Sequence, residues 1–422
     1  MSIRLTWCVW IAAFALMGGC AGSTGYEYSD AGNLIDGDGD GDGDGYGDGG
    51  GNGHRDGGGN GNGNGDGGSN AGVDGGGDDD WVATDQINCG DLPGIKRGTL
   101  EKVIACVPAG MEGKTGKLRP LVIGLHGMIQ TADEQRDTTE WHRLGGKYGF
   151  YTVFPQLPPA FNTQDYVLGT KFPGPWNFWA DTLNSRSAHE KAINDVMDAM
   201  LAAHDIDPER VFVTGVSAGG YMSTYMVGKF PDRYAGAASF SGGAANCTSK
   251  CLDTDKTGTD LKRPAGFKVP GGAELIALNP SYWNDASKRK PRVIAFHGKL
   301  DGAVRDINLG EIRKQWIEAL GIDATPDNAA LGEPASLGGY EYQAFEYQGQ
   351  IGVATVYMPE LGHGTVVKPG SGVDEGGNDP EASKISKDCS PVKSKSCTQD
   401  WTNSGNVYGP YQAARFFGLT TK

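Results

Sequence analysis

Between Arg210 and Met222 the chain reads RVFVTGVSAGGYM, and this stretch restricts the fold more than any other. Val211, Phe212, Val213 and Thr214 are β-branched or aromatic and predict a short buried strand. Gly215-Val216-Ser217-Ala218-Gly219 has the spacing G-x-S-x-G, and the residues behind it, with Tyr221, Met222, Tyr225 and Met226 on one face, predict a helix. A strand that turns at once into a helix strains its central residue, and neighbours without a Cβ let the backbones pass. Ser217 is then lifted clear of the sheet, at a helix N-terminus that favours developing negative charge. By itself G-x-S-x-G is common by chance and usually a plain loop. Strand before and helix after make Ser217 a candidate nucleophile.

The rest of the chain from Trp81 onward has the pattern of such a fold. Val103 to Val107 reads as a strand, Leu121 to Leu125 as a near-continuous apolar run suited to a central parallel strand, and Phe150 to Phe154 as a strand closed by Pro155. Ala188 to His204 has Ile193, Val196, Met197, Met200 and Leu201 at helical spacing. Ala237 to Phe240 and Val293 to Phe296 are further apolar strands, Asn308 to Leu320 a helix, and Tyr340 to Tyr347 with Ile351 to Met358 a hairpin turning at Gln348-Gly349. Tyr411 to Phe417 reads as a closing helix. Strands alternating with helices predict a mostly parallel central sheet with helices on both faces. Cys251 to Pro291 and Lys368 to Trp401 fit this rhythm poorly and read as surface excursions.

Three segments divide the 422 residues: 1–20, 21–80 and 81–422. The first has Arg4 ahead of the apolar run Leu5 to Met17, too short for a comfortable membrane span, and reads as an export signal. It ends at Leu16-Met17-Gly18-Gly19-Cys20, which resembles the lipobox of bacterial lipoproteins and makes Cys20 a candidate for lipidation; Met17 replaces the usual Leu, so ordinary signal cleavage nearby is the alternative. The second segment holds 25 of the 69 glycines and few apolar residues, a composition that predicts a disordered tether. It carries −13 and the signal +1 of the total −15, which leaves an ordinary −3 from Trp81 onward. No basic patch points to nucleic acid. Asp36 to Asp48, DGDGDGDGDGYGD, invites a calcium reading, but an EF-hand loop begun at Asp36 would have Gly47 where a carboxylate is required. Of the 8 cysteines, six follow Cys20, an even number suited to an oxidising compartment. Nearness in sequence favours Cys89–Cys106, Cys247–Cys251 and Cys389–Cys397, and the spacings do not suit a zinc site.

Active-site groups in such sheets sit where strands end. Ser217 follows one strand, Asp301 another and His363 the last, and Ser, Asp, His is the chain order of α/β-hydrolases. Serine needs a base to take its proton, and the base needs a carboxylate to fix its tautomer. His363, between two glycines, is the candidate base. His126 and His297, each before a glycine at a strand end, read as loop-shaping residues; His54, His142, His189 and His204 lie in tether, helical or polar contexts. Asp301 is nearer its strand end than the rival Asp306, which reads as a helix cap. An oxyanion hole needs two N–H donors, expected from Ala218 and from Met128 in the loop His126-Gly127-Met128-Ile129-Gln130.

With these stretches in view, the chain resembles the esterases that group polyhydroxybutyrate depolymerases with feruloyl and acetylxylan esterases, carbohydrate esterase family one. The resemblance rests on LHGMIQTADE, GFYTVFPQ, PWNFW at Pro175 to Trp179, IDPERVFVTGVSAGGYMS, HGKLDGAV and LGHGTVVKPG, with YGPYQAARFFGL behind a pair of cysteines, and covers roughly Cys89 to Leu419. It implies the α/β-hydrolase fold, and Ser217, Asp301 and His363 as nucleophile, acid and base. Relatives often have Cys-Thr-Gln where this chain has Met128-Ile129-Gln130, which touches substrate preference and leaves the backbone role intact. Trp176, Phe178, Trp179, Tyr221, Tyr282 and Trp283 are aromatic cleft candidates or core residues.

The function implied is a secreted or lipid-anchored serine esterase, needing no metal or organic cofactor. Its partner would be an ester substrate: polyhydroxyalkanoate-type polyester or oligomers, with feruloylated or acetylated plant polysaccharide as the alternative. A lipid anchor would be its contact with the membrane. A non-catalytic surface binding protein is the reading from another class, and such a protein has no need of all three triad residues.

Overall fold

The structure, a computed structural model, describes residues 81–92, 95, 98–162, 171–178, 183–248, 251, 267–327, 336–378 and 402–420. The export signal with Cys20, the Gly/Asp-rich tether, Trp179, Cys389 and Cys397 lie outside the described residues. Fourteen strands are found among the described residues: β1 (Ile87–Asp91), β2 (Lys102–Pro108), β3 (Arg119–Leu125), β4 (Tyr151–Gln156), β5 (Pro159–Asn162), β6 (Lys171–Pro173), β7 (Ile206–Val216), β8 (Gly236–Phe240), β9 (Arg292–Gly298), β10 (Ser336–Leu337), β11 (Tyr340–Tyr347), β12 (Gln350–Met358), β13 (Thr365–Val367) and β14 (Thr402–Ser404). Ten of them form one sheet in the order β1-β2-β4-β3-β7-β8-β9-β12-β11-β10. The six neighbours from β4 to β12 run parallel, and the outer strands add on antiparallel. This is the α/β-hydrolase fold.

The alternation of side chains along each central strand builds two cores. Leu121, Ile123 and Leu125 of β3, Val211 and Val213 of β7, and Val293 and Ala295 of β9 join one cluster. Helices Leu183–Ala203, Ala218–Lys229 and Ile307–Leu320 cover that face with Val196, Met197, Met222, Met226, Ile312 and Trp316. Val122, Phe212, Ile294 and Phe296 point the other way, against Trp141, Leu144, Ala413 and Phe416 of the helices Trp141–Tyr148 and Gly409–Phe416. The central strands read as nearly continuous apolar runs because both faces are buried.

Two expectations change. Pro155 does not close its strand: β4 continues to Gln156, and Pro155 lies opposite Val103 of β2. The pairing of β3 with β4 ends at Val153, so the missing proline N–H interrupts nothing on that side. The excursion after Cys251 also contains regular structure, the short helices Gly272–Ile276 and Pro280–Trp283, in which Trp283 is buried against Trp316. The hairpin turn is as expected, with Gln348 and Gly349 both at positive φ (52° and 81°), the backbone that a two-residue hairpin demands.

Two of the three anticipated disulfides fall on described residues, and both are present. Cys89 and Cys106 are directly opposed in the β1/β2 register, so the bridge staples the edge strand to the sheet. Closing a loop of this length contributes about 3 kcal/mol in the chain-entropy account. Cys247–Cys251 holds the segment that leaves β8. Among the described residues no helix is long and apolar enough to cross a membrane.

Candidate active site

At the end of β7 the chain makes the turn that the glycine spacing predicts. Ser217 has φ 57° and ψ −120°, and the helix Ala218–Lys229 starts immediately behind it. The Ser217 N–H donates to the Phe240 carbonyl at 2.9 Å, which ties the elbow to β8. The glycines are needed for contact. A Cβ on Gly219 would lie 2.3 Å from the Leu125 carbonyl oxygen and 2.6 Å from that of His126, and a Cβ on Gly215 would lie 2.5 Å from Gly219. Real side chains do not approach so closely. The absence of these carbons lets the end of β3, and the loop behind it, press against the nucleophile turn.

That loop, Gly127 to Gln130, is held from inside. The Gly127 N–H donates to Gln130 Oε1 at 2.8 Å, the Gln130 N–H to the Gly127 carbonyl at 3.2 Å, and the Ile129 N–H to the Pro173 carbonyl at 3.0 Å. Ile129 sits at φ 66°, and the Gln130 side chain is fully buried. The Met128 N–H therefore stands alone in the loop: among the described residues it has no acceptor. The Ala218 N–H is in the first turn of its helix, where no intrahelical acceptor exists. His126 braces the loop from below, donating from Nδ1 to the Gly127 carbonyl at 2.6 Å and accepting at Nε2 from the Leu157 N–H at 3.2 Å. Burial pushes its pKa down to about 4, which keeps the ring neutral in that tautomer.

Asp301 and His363 meet at the ends of β9 and β12. His363 Nδ1 lies 2.9 Å from Asp301 Oδ1 and 2.8 Å from Oδ2. The carboxylate has no solvent-exposed side-chain surface, whereas the His363 side chain is 18% exposed. Oδ1 also accepts the Ala303 and Val304 N–H groups at 2.9 and 2.7 Å, and His297 Nε2 lies 3.2 Å from Oδ2. Burial alone would push the Asp301 carboxyl up. The charge of His363 and the hydrogen bonds from both histidines outweigh it and hold the group well below the usual carboxylate range.

The histidine loop is fixed on three sides. Leu300 N–H donates to the Leu361 carbonyl at 2.9 Å, and Gly298 allows this approach, since a Cβ there would lie 2.2 Å from the same oxygen. Asn403 Nδ2 donates to the His363 carbonyl at 2.8 Å. Ser241, the residue after β8, accepts the Gly364 N–H on its hydroxyl at 3.1 Å. Phe240, one residue earlier, holds the Ser217 N–H. In sheet order β8 separates β7 from β9, so adjacent residues at its end tie the serine turn on one side and the histidine loop on the other.

The remaining expectations divide. Asp306 stands at the N-cap position of the helix Ile307–Leu320 but makes no side-chain capping bond; its Oδ2 accepts the Tyr357 hydroxyl at 3.1 Å. Trp176 and Tyr221 are 0% and 1% exposed and belong to the core rather than to a solvent-lined wall. Tyr221 stacks on Phe178 at 4.2 Å between ring centroids, and its hydroxyl pairs with Asn308 Oδ1 at 2.9 Å. Ser241, Asn403, Gln130 and the contact from His297 to Asp301 were not anticipated in these roles. The one signal available was the histidine-glycine pair at each of two strand ends, which pointed to loop-shaping hydrogen bonds.

Comparison with known proteins gives a consistent set of relatives. A family model described as the prolyl oligopeptidase family, Peptidase_S9, matches residues 179–306, which include Ser217 and Asp301. The chain is 31% identical to poly(3-hydroxyalkanoate) depolymerase C of Paucimonas lemoignei, over 64% of this chain and 60% of that protein. It is 27% identical to an acetylxylan esterase of Coprinopsis cinerea, over 46% of this chain and 53% of the relative. A feruloyl esterase B of Thermothelomyces thermophilus is 25% identical, over 51% and 70%. The chain thus spans between half and two thirds of the length of the first of these relatives. Among solved structures, an acetyl xylan esterase from Aspergillus awamori aligns over 66% of this chain and 94% of its own, with a TM-score of 0.49 and 19% identity.

Proposed function

We propose that this chain is a serine carboxylic-ester hydrolase that works through an acyl-enzyme on Ser217. The observation that carries the reading is the pairing of His363 Nδ1 with both oxygens of a fully buried Asp301, at the same sheet edge as a serine held at φ 57°, with β8 between the serine strand and the acid strand. With the proton on Nδ1 committed to Asp301, Nε2 is the basic nitrogen that takes the Ser217 proton as Oγ attacks the ester carbonyl. The developing oxyanion is received by the N–H groups of Met128 and Ala218. His363 then protonates the leaving alcohol, and a water activated by the same nitrogen releases the acid. This chemistry asks for neither metal nor organic cofactor.

The preferred substrates are polyhydroxyalkanoate-type polyesters or their oligomers. The relative at 31% identity is named as a depolymerase of that polymer class, while the acetylxylan and feruloyl esterases cited above stand at 27% and 25%. Ester-linked feruloyl or acetyl groups on plant polysaccharide are the second reading. The test is a panel on the purified full chain: a short-chain chromogenic ester, poly(3-hydroxybutyrate) suspension, methyl ferulate and acetylated xylan. Release of hydroxybutyrate oligomers as the preferred reaction is expected. Faster turnover of methyl ferulate or acetylxylan would transfer the assignment to the second reading, and inactivity on all four would favour a binding protein.

We also propose that the protein is exported and held at a membrane by lipid on Cys20, with residues 21–80 as a tether and 81–422 as the catalytic domain. Two disulfides in that domain support an oxidising destination. Polymeric substrate cannot enter a cell, so a tethered enzyme would meet it outside. Cys20→Ser should move the protein from the membrane fraction to the soluble one without altering turnover of a soluble ester. Retention of the variant in the membrane fraction would remove the anchor from this reading.

A further inference from the structure

His297 is a second histidine on the acid, and the triad chemistry leaves it unused. It is the penultimate residue of β9 and is fully buried. Nε2 lies 2.8 Å from the Val304 carbonyl oxygen and 3.2 Å from Asp301 Oδ2. Both are acceptors, so Nε2 carries the proton. Nδ1 has no partner among the described residues, and a second proton there would bury an unpaired donor. Burial works against a charged ring and the hydrogen bond and charge of Asp301 work for it, with a net upward push on its pKa, but in either form the Nε2–H faces two oxygens of one turn. The charged groups that bear on it are Asp301 and, at longer range, Asp306.

These contacts close a loop. His297 holds the Val304 carbonyl, the Val304 and Ala303 N–H groups hold Asp301 Oδ1, and His297 faces Oδ2. The carboxylate is gripped on both oxygens while still pairing with His363 Nδ1. We propose that His297 is a positioning residue of the triad, which fixes the rotation of the Asp301 carboxylate and draws off part of its charge, so that the acid orients His363 without overstabilising its protonated form. This rests on the esterase reading above, and it assigns to His297 a function beyond loop shape.

The experiment compares wild type, His297→Ala and His297→Gln in the full chain, because the glutamine Nε2–H can stand where the imidazole Nε2–H stood. With a soluble chromogenic ester, His297→Ala should lose roughly 10–100-fold in kcat with KM within about twofold. The acid limb of its kcat/KM profile should move to higher pH, because the carboxylate keeps more of its charge for the imidazolium. His297→Gln should recover to within about threefold of wild type. Thermal melts show which variants fold. A second readout does not need turnover: the far-downfield proton resonance of the His363–Asp301 pair, identified by its loss in His363→Ala, should be present in wild type, weaken in His297→Ala and return in His297→Gln. Wild-type kcat and pH profile in a folded His297→Ala would overturn the proposal, as would a folded glutamine variant no better than alanine. If wild type hydrolyses no ester, the esterase reading falls, and the resonance alone decides whether His297 orders the pair: unchanged or absent in every variant, it rejects the idea.

Discussion

Ser217→Ala should fold as the wild type does and lose ester hydrolysis by roughly 10⁴-fold or more, with the soluble chromogenic ester as the readout. Serine and alanine both carry a Cβ, so the φ of 57° costs each about the same, and the hydrogen bond from the residue 217 N–H to the Phe240 carbonyl is untouched. The variant lacks the Oγ that the proposed mechanism sends to the ester carbonyl while His363 takes its proton. Residual activity would come from the two N–H donors alone. An organophosphate should label the wild-type protein on Ser217 and leave Ser217→Ala unlabelled. Labelling on a different serine, together with full activity of the variant, would sink the assignment of the nucleophile.

The Ser217 turn was legible because its requirement is local. Gly215 and Gly219 are demanded by contacts within a strand-turn-helix unit and by the passage of Leu125 and His126, and a five-residue spacing is enough to reveal them. The meeting of Asp301 and His363 was legible from a different rule, since each follows an apolar strand. The supports were not legible. Ser241 reaches Gly364 across 123 residues of sequence, and only the sheet order that puts β8 between the serine and acid strands brings them together. The same holds for Asn403 and the His363 carbonyl. Tyr221 shows the converse. As an aromatic residue it could be cleft or core, and its helix faces the core there, where Phe178 and Asn308 occupy its ring and its hydroxyl. Periodicity says which face is apolar and does not say what lies against it.

Asp301→Asn should lower kcat by roughly 10³–10⁴-fold with little change in KM, whereas Asp306→Asn should stay within about threefold of wild type. The asymmetry follows from who donates to each oxygen. At Asp301 the Ala303 and Val304 N–H groups both point at Oδ1, so an asparagine would place its carbonyl oxygen there and its NH₂ at the position of Oδ2. That NH₂ would face His363 Nδ1 at 2.8 Å and the His297 Nε2–H at 3.2 Å. Two donors cannot share the first contact, so His363 must accept at Nδ1 and carry its proton on Nε2, the nitrogen needed empty to receive the serine proton. The imidazolium also loses its counter-charge. The native carboxylate stays ionised well below the usual range, so across the neutral region the wild-type acid delivers its full charge and the variant none. Among the described residues Asp306 has the Tyr357 hydroxyl on Oδ2, and an amide oxygen accepts that bond equally well. Side-by-side kinetics of the two variants, with melting curves to confirm folding, make the comparison. Near-normal turnover in Asp301→Asn beside a collapse in Asp306→Asn would move the acid to Asp306 and leave the buried pair with His363 as a structural contact.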